Sequence, residues 1–215
     1  MKKLSVFLYT NILGRKIYDE FDESIGELKD IYVTTEDGYP RVIGYKVKRD
    51  GYTFHYEFRS INFYQQDNRI KIVTRGSKEI LPRTYSYLLS EHLLDKKIVD
   101  INGKQVVRVD DLRIAEIAGE YRVIAVETGP MARFRRMNCA KFGSFIYKML
   151  RKDYEDRVLM WDDVESLEMV DNNLQIAVPY KKLSTLHPAD LADILENLDA
   201  SSRKQIFESL DEDLA

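Results

Sequence analysis

The sequence predicts a mainly β protein with some α: two small β-barrels in tandem, a helix inserted in the second, and a short α-helical segment at the C-terminus. Three observations point there. The chain repeats itself at one fixed interval, the repeated positions are apolar or turn-forming, and the last thirty or so residues change from strand-like to helical spacing. Ile12-Leu13-Gly14-Arg15-Lys16-Ile17-Tyr18-Asp19 returns as Leu93-Leu94-Asp95-Lys96-Lys97-Ile98-Val99-Asp100. In the same register Ile25, Leu28, Asp30, Ile31 and Val33 return as Val106, Val109, Asp111, Leu112 and Ile114. Arg41-Val42-Ile43-Gly44 becomes Arg122-Val123-Ile124-Ala125. Such an echo marks one folding unit used twice. No nucleophile, base or metal cluster recurs with it, which directs the reading away from an enzyme.

In the first copy, Lys16–Asp19 is a short strand, and residues 25–33 follow with β-branched and aromatic residues. Thr35–Gly38 turns the chain into Arg41–Val47, which closes at the Asp50-Gly51 turn signal. Tyr52–Phe58 alternates ring and polar residue as one buried face requires, and Arg69–Val73 alternates again. Several short strands at this spacing predict a small closed barrel. In the second copy, Asn102-Gly103 turns Ile98–Ile101 into Gln105–Val109, and Arg157–Trp161 and Asn173–Val178 supply later strands. Between the copies, Thr84–Leu93 reads as a short helix after Pro82. The boundaries fall at 1–83, at 84–183 with a basic helical insertion at about 130–152, and at 184–215.

Bulk properties set the compartment. At 215 residues and 44% hydrophobic the chain can bury real cores. A net charge of -3 with 32% charged residues makes no global demand for nucleic acid. The single cysteine, Cys139, fits a reducing environment, the apolar run at Val6–Leu8 is too short for a signal peptide, and no stretch approaches the length of a membrane span. The expectation is cytoplasmic.

These residues resemble the PRC-barrel domain, over roughly residues 8–75 and again over 89–180. The carriers are residues 12–19 with 25–33, and 94–103 with Val109-Asp110-Asp111-Leu112. Copy two departs by placing Val107 where copy one has Gly26, and by its insertion. The family includes the photosynthetic reaction-centre H subunit and the ribosome-maturation protein RimM, so the resemblance implies adaptation and binding rather than catalysis.

The insertion carries Arg133, Arg135, Arg136, Lys141, Lys148, Arg151 and Lys152 with no acid among them, beside Phe134, Met137, Phe142, Phe145, Ile146, Met149 and Leu150 at approximately helical spacing. These cations are the candidate partner-binding residues. The leading reading is a helix packed on its own barrel; a protein partner comes second, and anionic lipid or RNA third.

The tail opens with Pro188 at a first helical position, and Leu191, Ile194, Leu195 and Leu198 form a stripe. Asp199-Ala200-Ser201 caps a second helix with Ile206, Phe207 and Leu210, and Asp211–Ala215 reads as the opening of a third, as though the chain were truncated there. Residues 186–199 with 210–215 resemble the start of the intracellular N-terminal domain of MgtE magnesium transporters. That resemblance implies a regulatory context, downstream CBS domains as partners, and magnesium as the one cofactor to consider. Asp190, Asp193, Glu196, Asp211, Glu212 and Asp213 could offer it oxygen ligands, although the leading reading is a solvated helix face. No catalytic or metal residue is assigned. His55, His92 and His187 lack a second ligand at metal spacing, and Cys139 has no nearby histidine.

The expected function is thus a non-enzymatic cytoplasmic adaptor or regulatory region of an MgtE-related protein, working through protein or interdomain contacts. Membrane contact would come only through the insertion or an absent region. The alternative is an RNA- or ribosome-associated module of the RimM kind.

Overall fold

The computed structural model describes residues 2–35, 38–67, 69–76, 78–80, 86–136, 157–167 and 182–213, and everything below refers to these. The chain runs through β1 (Lys2–Lys3), β2 (Val6–Leu8), β3 (Lys16–Tyr18), β4 (Ser24–Thr34), β5 (Arg41–Arg49), β6 (Tyr52–Glu57), β7 (Ile61–Gln66) and β8 (Arg69–Thr74). Then come β9 (Tyr87–Leu88), α1 (Leu89–His92), β10 (Lys97–Asp100), β11 (Gln105–Arg108), β12 (Asp111–Ile117) and β13 (Glu120–Thr128). The remainder is α2 (Pro130–Arg136), β14 (Arg157–Met160), β15 (Val164–Ser166), α3 (Pro188–Glu196) and α4 (Ala200–Asp213).

The architecture is mainly β, with a curled sheet of the half-barrel kind and a few short helices. Local chemistry explains the hairpins. Asp50 and Gly51 both take positive φ, 52° and 85°, the pairing a tight β5–β6 turn needs. Along β5, the fully buried Tyr45 and Val47 alternate with the less buried Lys46 and the exposed Lys48, giving one face to the core. Gly14 (φ 71°) and Asp95 (φ 68°) occupy the same left-handed corner before β3 and β10. The bonds around them also match. Gly14 N–H donates to Leu28 O at 2.8 Å and Leu28 N–H to Arg15 O at 2.9 Å, while Asp95 N–H donates to Val109 O at 2.8 Å and Val109 N–H to Lys96 O at 2.9 Å. The duplicated sequence positions therefore make duplicated backbone contacts.

The expectation of two self-contained barrels meets a different arrangement. A 12-stranded sheet runs through both halves, beside a 3-stranded sheet β11-β10-β15. Strand β2, from the start of the chain, pairs with β12, with Leu8 opposite Arg113 and Phe7 opposite Ile114. Strand β9 pairs with β4, with Leu88 opposite Tyr32 and Tyr87 opposite Val33. Each half thus lends its leading strand to the other. The exchange is reciprocal because Tyr32 and Arg113, and Val33 and Ile114, are corresponding positions of the repeat. Between them β5 meets β13 at the single pair Arg41↔Arg122, again corresponding positions, so an approximate twofold axis passes there. One apolar cluster spans both halves and takes in Ile31 and Leu112, each fully buried.

Three further sequence expectations change. Residues 87–88 are strand, and the expected helix over Thr84–Leu93 shrinks to α1, because pairing with β4 satisfies this backbone better than an isolated helical turn. Helix α4 continues through Asp213, so no third helix opens at Asp211. Phe207, expected in the apolar stripe, is 54% exposed, while Ile206 is buried. The expected strand at Asn173–Val178 lies outside the described residues.

The tail is docked. Ile194, Leu195, Leu198 and Ile206 share a second cluster with Val99 of β10 and Leu167, and Val106 of β11 packs against it. His187 caps α3, its Nδ1 accepting from Ala189 N–H at 3.2 Å, with Pro188 at the first turn. Asp199 caps α4, accepting from the Ser201 and Ser202 N–H groups at 3.0 Å each. Lys104 meets Asp190 at 2.7 Å, tying α3 to the β10–β11 turn.

Candidate interaction site

Two buried aspartates lock the exchanged strands. Asp30 is 3% exposed and accepts from the Tyr9 hydroxyl at 2.5 Å and from Ile31 N–H at 2.8 Å. It also accepts from Ser90 N–H at 3.2 Å and from the Ser90 hydroxyl, at the first turn of α1. Asp111 is fully buried and accepts from Leu112 N–H at 2.8 Å, from Thr10 N–H at 3.1 Å and from the Thr10 hydroxyl. Asp30 lies within β4 and Asp111 opens β12, and each caps the short helical turn carried in by the other half. Burial pushes the Asp111 carboxyl above its ordinary range, against the Thr10 hydrogen bonds that pull it down. The Tyr9 hydroxyl is also held well up, first by burial and then by the Asp30 charge.

The inserted segment begins with α2, which takes the place of the tight β5–β6 turn of the first half. Its arginines, the candidate partner-binding residues of a helix expected to pack on its own barrel, reach back to acids of the second half. Arg133 Nε donates to Asp110 at 2.5 Å, and Asp110 is 1% exposed. Arg135 bonds Glu127, which Arg113 also engages. Arg136 bonds Asp95 at 2.8 Å, and Arg108 reaches the same carboxylate at 2.5 Å. Arg136 foremost, with Arg108, holds the Asp95 carboxyl down to about 2. Lys141, Lys148, Arg151 and Lys152 lie outside the described residues, as does Cys139. The acids that receive α2 were missed in the sequence because they lie on other elements, in no local pattern with the arginines.

The histidines have local partners. His55 Nδ1 lies 2.8 Å from the Tyr32 hydroxyl, and burial lowers its pKa, with Lys46 adding to the effect. His92 Nδ1 sits 3.0 Å from Leu88 O. Among the described residues no group of three or more His, Cys, Asp or Glu side chains could hold a metal ion. Asp193 and Glu196 are exposed on α3, away from its buried leucines. No described helix is long and apolar enough to cross a membrane.

Two grooves remain. One of about 610 Å³ lies where the halves meet, lined by Tyr32, Arg41, Glu57, Phe58, Glu120 and Tyr121. Glu120 there serves both axial arginines, at 2.7 Å from Arg122 and 3.4 Å from Arg41. The other, of about 750 Å³, runs between β3 and β8 and carries four basic residues against two acidic ones.

Residues 5–80 match the PRC-barrel domain family, so the first half of the chain carries a PRC-barrel domain. No curated protein matches the chain. The matched span ends before β9 and Ser90, so it omits the strand and the cap that complete its sheet in the structure.

Proposed function

We propose that this protein is a non-enzymatic adaptor, built as a tandem of two PRC-type barrels with exchanged leading strands, which holds helical segments on its outer faces. One observation carries the reading: the outer face of β10 and β11 already binds the α3–α4 pair through Val99, Val106 and Lys104. Two further features support it. The α2 arginines meet Asp95, Asp110 and Glu127, so the sheet's rim organises an appended helix through charge as well. Joining the halves in one sheet makes them a single platform rather than two beads on a linker.

In the fuller form of this reading, the tail begins an MgtE-like helical domain, and the platform relays its state to domains further along a longer protein in the cytoplasm. Calorimetry separates the forms. The relay form expects heat, or a shift in melting temperature, at millimolar magnesium; neither appearing would reduce the proposal to the plain adaptor. The RimM-like alternative expects structured RNA to bind with steep salt dependence. A titration of the full chain with a structured RNA over a salt series tests the adaptor reading directly. Tight, salt-sensitive binding would replace it, and the expected result is no specific binding at physiological salt.

A further inference from the structure

We propose that the groove between β3 and β8 is a docking site for an acidic amphipathic helix of a partner protein, held much as α3 is held on the other half. The proposal rests on the adaptor reading and adds a place and a partner chemistry to it. Its starting point is the correspondence of β3 with β10. Strand β3 pairs with β4 through Ile17↔Gly26, and β10 pairs with β11 through Ile98↔Val107, corresponding pairs of the repeat. On β10, the two residues flanking Ile98 meet the helical tail. Lys97 Nζ donates to Asn197 O at 3.3 Å, at the C-terminal cap of α3, and Val99 lies in the cluster with Leu195 and Leu198. Their counterparts on β3 are Lys16 and Tyr18. Both line the groove, and no helix of the described chain covers them.

The charge of the groove states the chemistry of its occupant. Arg15, Lys16, Arg69 and Lys71 line it against two carboxylates, Asp22 and Asp67. Asp22 is already taken by Lys71 at 2.5 Å, and Lys71 also lies 5.0 Å from the centre of the Tyr18 ring. Lys16 and Arg69 are exposed and form no ion pair among the described residues. The helix that occupies the corresponding face, α3, carries Asp190, Asp193 and Glu196 and no basic residue. Its carbonyl end also meets Lys97, as a cation favours. A helix with that acid pattern and a leucine stripe would place its apolar edge on Tyr18 and Ile70 and its carboxylates against Lys16 and Arg69. The match is not a copy. Glu23 stands where Lys104 holds Asp190, so the cations on this half sit on the β8 side and the occupant would lie closer to β8.

The experiment uses the full chain and, as probe, a fluorescein-labelled, helix-stapled peptide with the sequence of residues 186–199, followed by anisotropy. Binding that weakens with salt is expected. Lys16→Glu with Arg69→Glu should weaken it by at least about tenfold, since each reversal sets a carboxylate against the helix acids. Both positions are exposed, and an unchanged circular dichroism spectrum and melting temperature would show that the variant stays folded. Lys204→Glu, exposed on α4 and outside the groove, should leave the affinity unchanged, and Lys104→Glu reports whether the peptide uses the α3 site instead. The proposal is overturned by three results: no peptide binding, binding that depends on Lys104 and ignores Lys16 and Arg69, or preference of the wild-type groove for a single-stranded RNA oligomer or phosphatidylserine vesicles over the peptide. Failure here with no RNA binding would leave the adaptor reading standing and remove only this site.

Discussion

Ser90 donates both its backbone N–H and its hydroxyl to Asp30, sixty residues earlier in the chain and in the other half of the molecule. Thr10 does the same to Asp111 from the opposite direction. These two clasps hold the exchanged strands, and they lead to the first expected outcome. Asp30→Ala strips the acceptor from buried donors on Tyr9 and Ile31 and from Ser90, and should cost about 3 kcal/mol. Asp111→Ala should cost a similar amount through Thr10 and Leu112. Urea denaturation measures both. A double-mutant cycle of Asp30→Ala with Ser90→Ala should show strong coupling, whereas Asp30→Ala with Thr10→Ala should be nearly additive.

The family-matched span is expected to fold poorly alone. A fragment of residues 5–80 keeps β4 but loses β9 and Ser90, and its β2 has no β12 to pair with. Near-ultraviolet circular dichroism and hydrogen exchange should find weak, non-cooperative structure. Mixing with a fragment of residues 86–215 should restore a cooperative transition. A cooperative monomeric fragment 5–80 would show the exchange to be dispensable.

Acid should loosen the clamp on α2. Arg136 and Arg108 hold the Asp95 carboxyl at about 2, below its ordinary 3.8. A depressed carboxyl contributes stability that is present above the ordinary value and lost as pH falls from there toward about 2. Asp111 runs the other way: its raised carboxyl favours the fold when protonated and loses that contribution as pH rises through its folded value. Asp95→Asn should therefore melt lower than wild type at neutral pH, and the gap should close at about pH 2. Melting curves across that window read it directly.

Gly26 tests the crossing of β4 and β5. Its φ is 131°, and a Cβ there would meet Val47 Cγ1 at 2.5 Å and the Lys48 carbonyl oxygen at 2.7 Å. Gly26→Ala should destabilise by about 2 kcal/mol or more, measured by thermal melting. The corresponding residue of the second half is Val107. There β13 ends at Thr128 and α2 begins, so no strand continues past it as β5 does past Gly26.

The repeat itself was legible because apolar positions and turn residues keep their interval. Gly14 and Asp95, Asp30 and Asp111, Ile31 and Leu112 all fall into matched surroundings. The leucine stripe of α3, its start at Pro188 and the cap at Asp199 were legible for the same reason: they are local. Which half a strand would join was not. An apolar pair such as Phe7-Leu8 or Tyr87-Leu88 carries no address for the partner strand. The place of Thr84–Leu93 after Pro82 favoured a helix, and the long-range pairing of Tyr87 and Leu88 to β4 overrides it there. The candidate arginines were legible as cations, but their acids are scattered over Asp95, Asp110 and Glu127. The β3–β8 groove was invisible to sequence because it depends on β8 lying parallel to β3.

The crossed strands also dictate a timetable. As the chain leaves the ribosome, Phe7 and Leu8 emerge long before Arg113 and Ile114, the neighbours they pair with. The nascent first half must wait with an unmatched edge and an uncapped turn, and burial can become cooperative only when the final strands of the second half arrive.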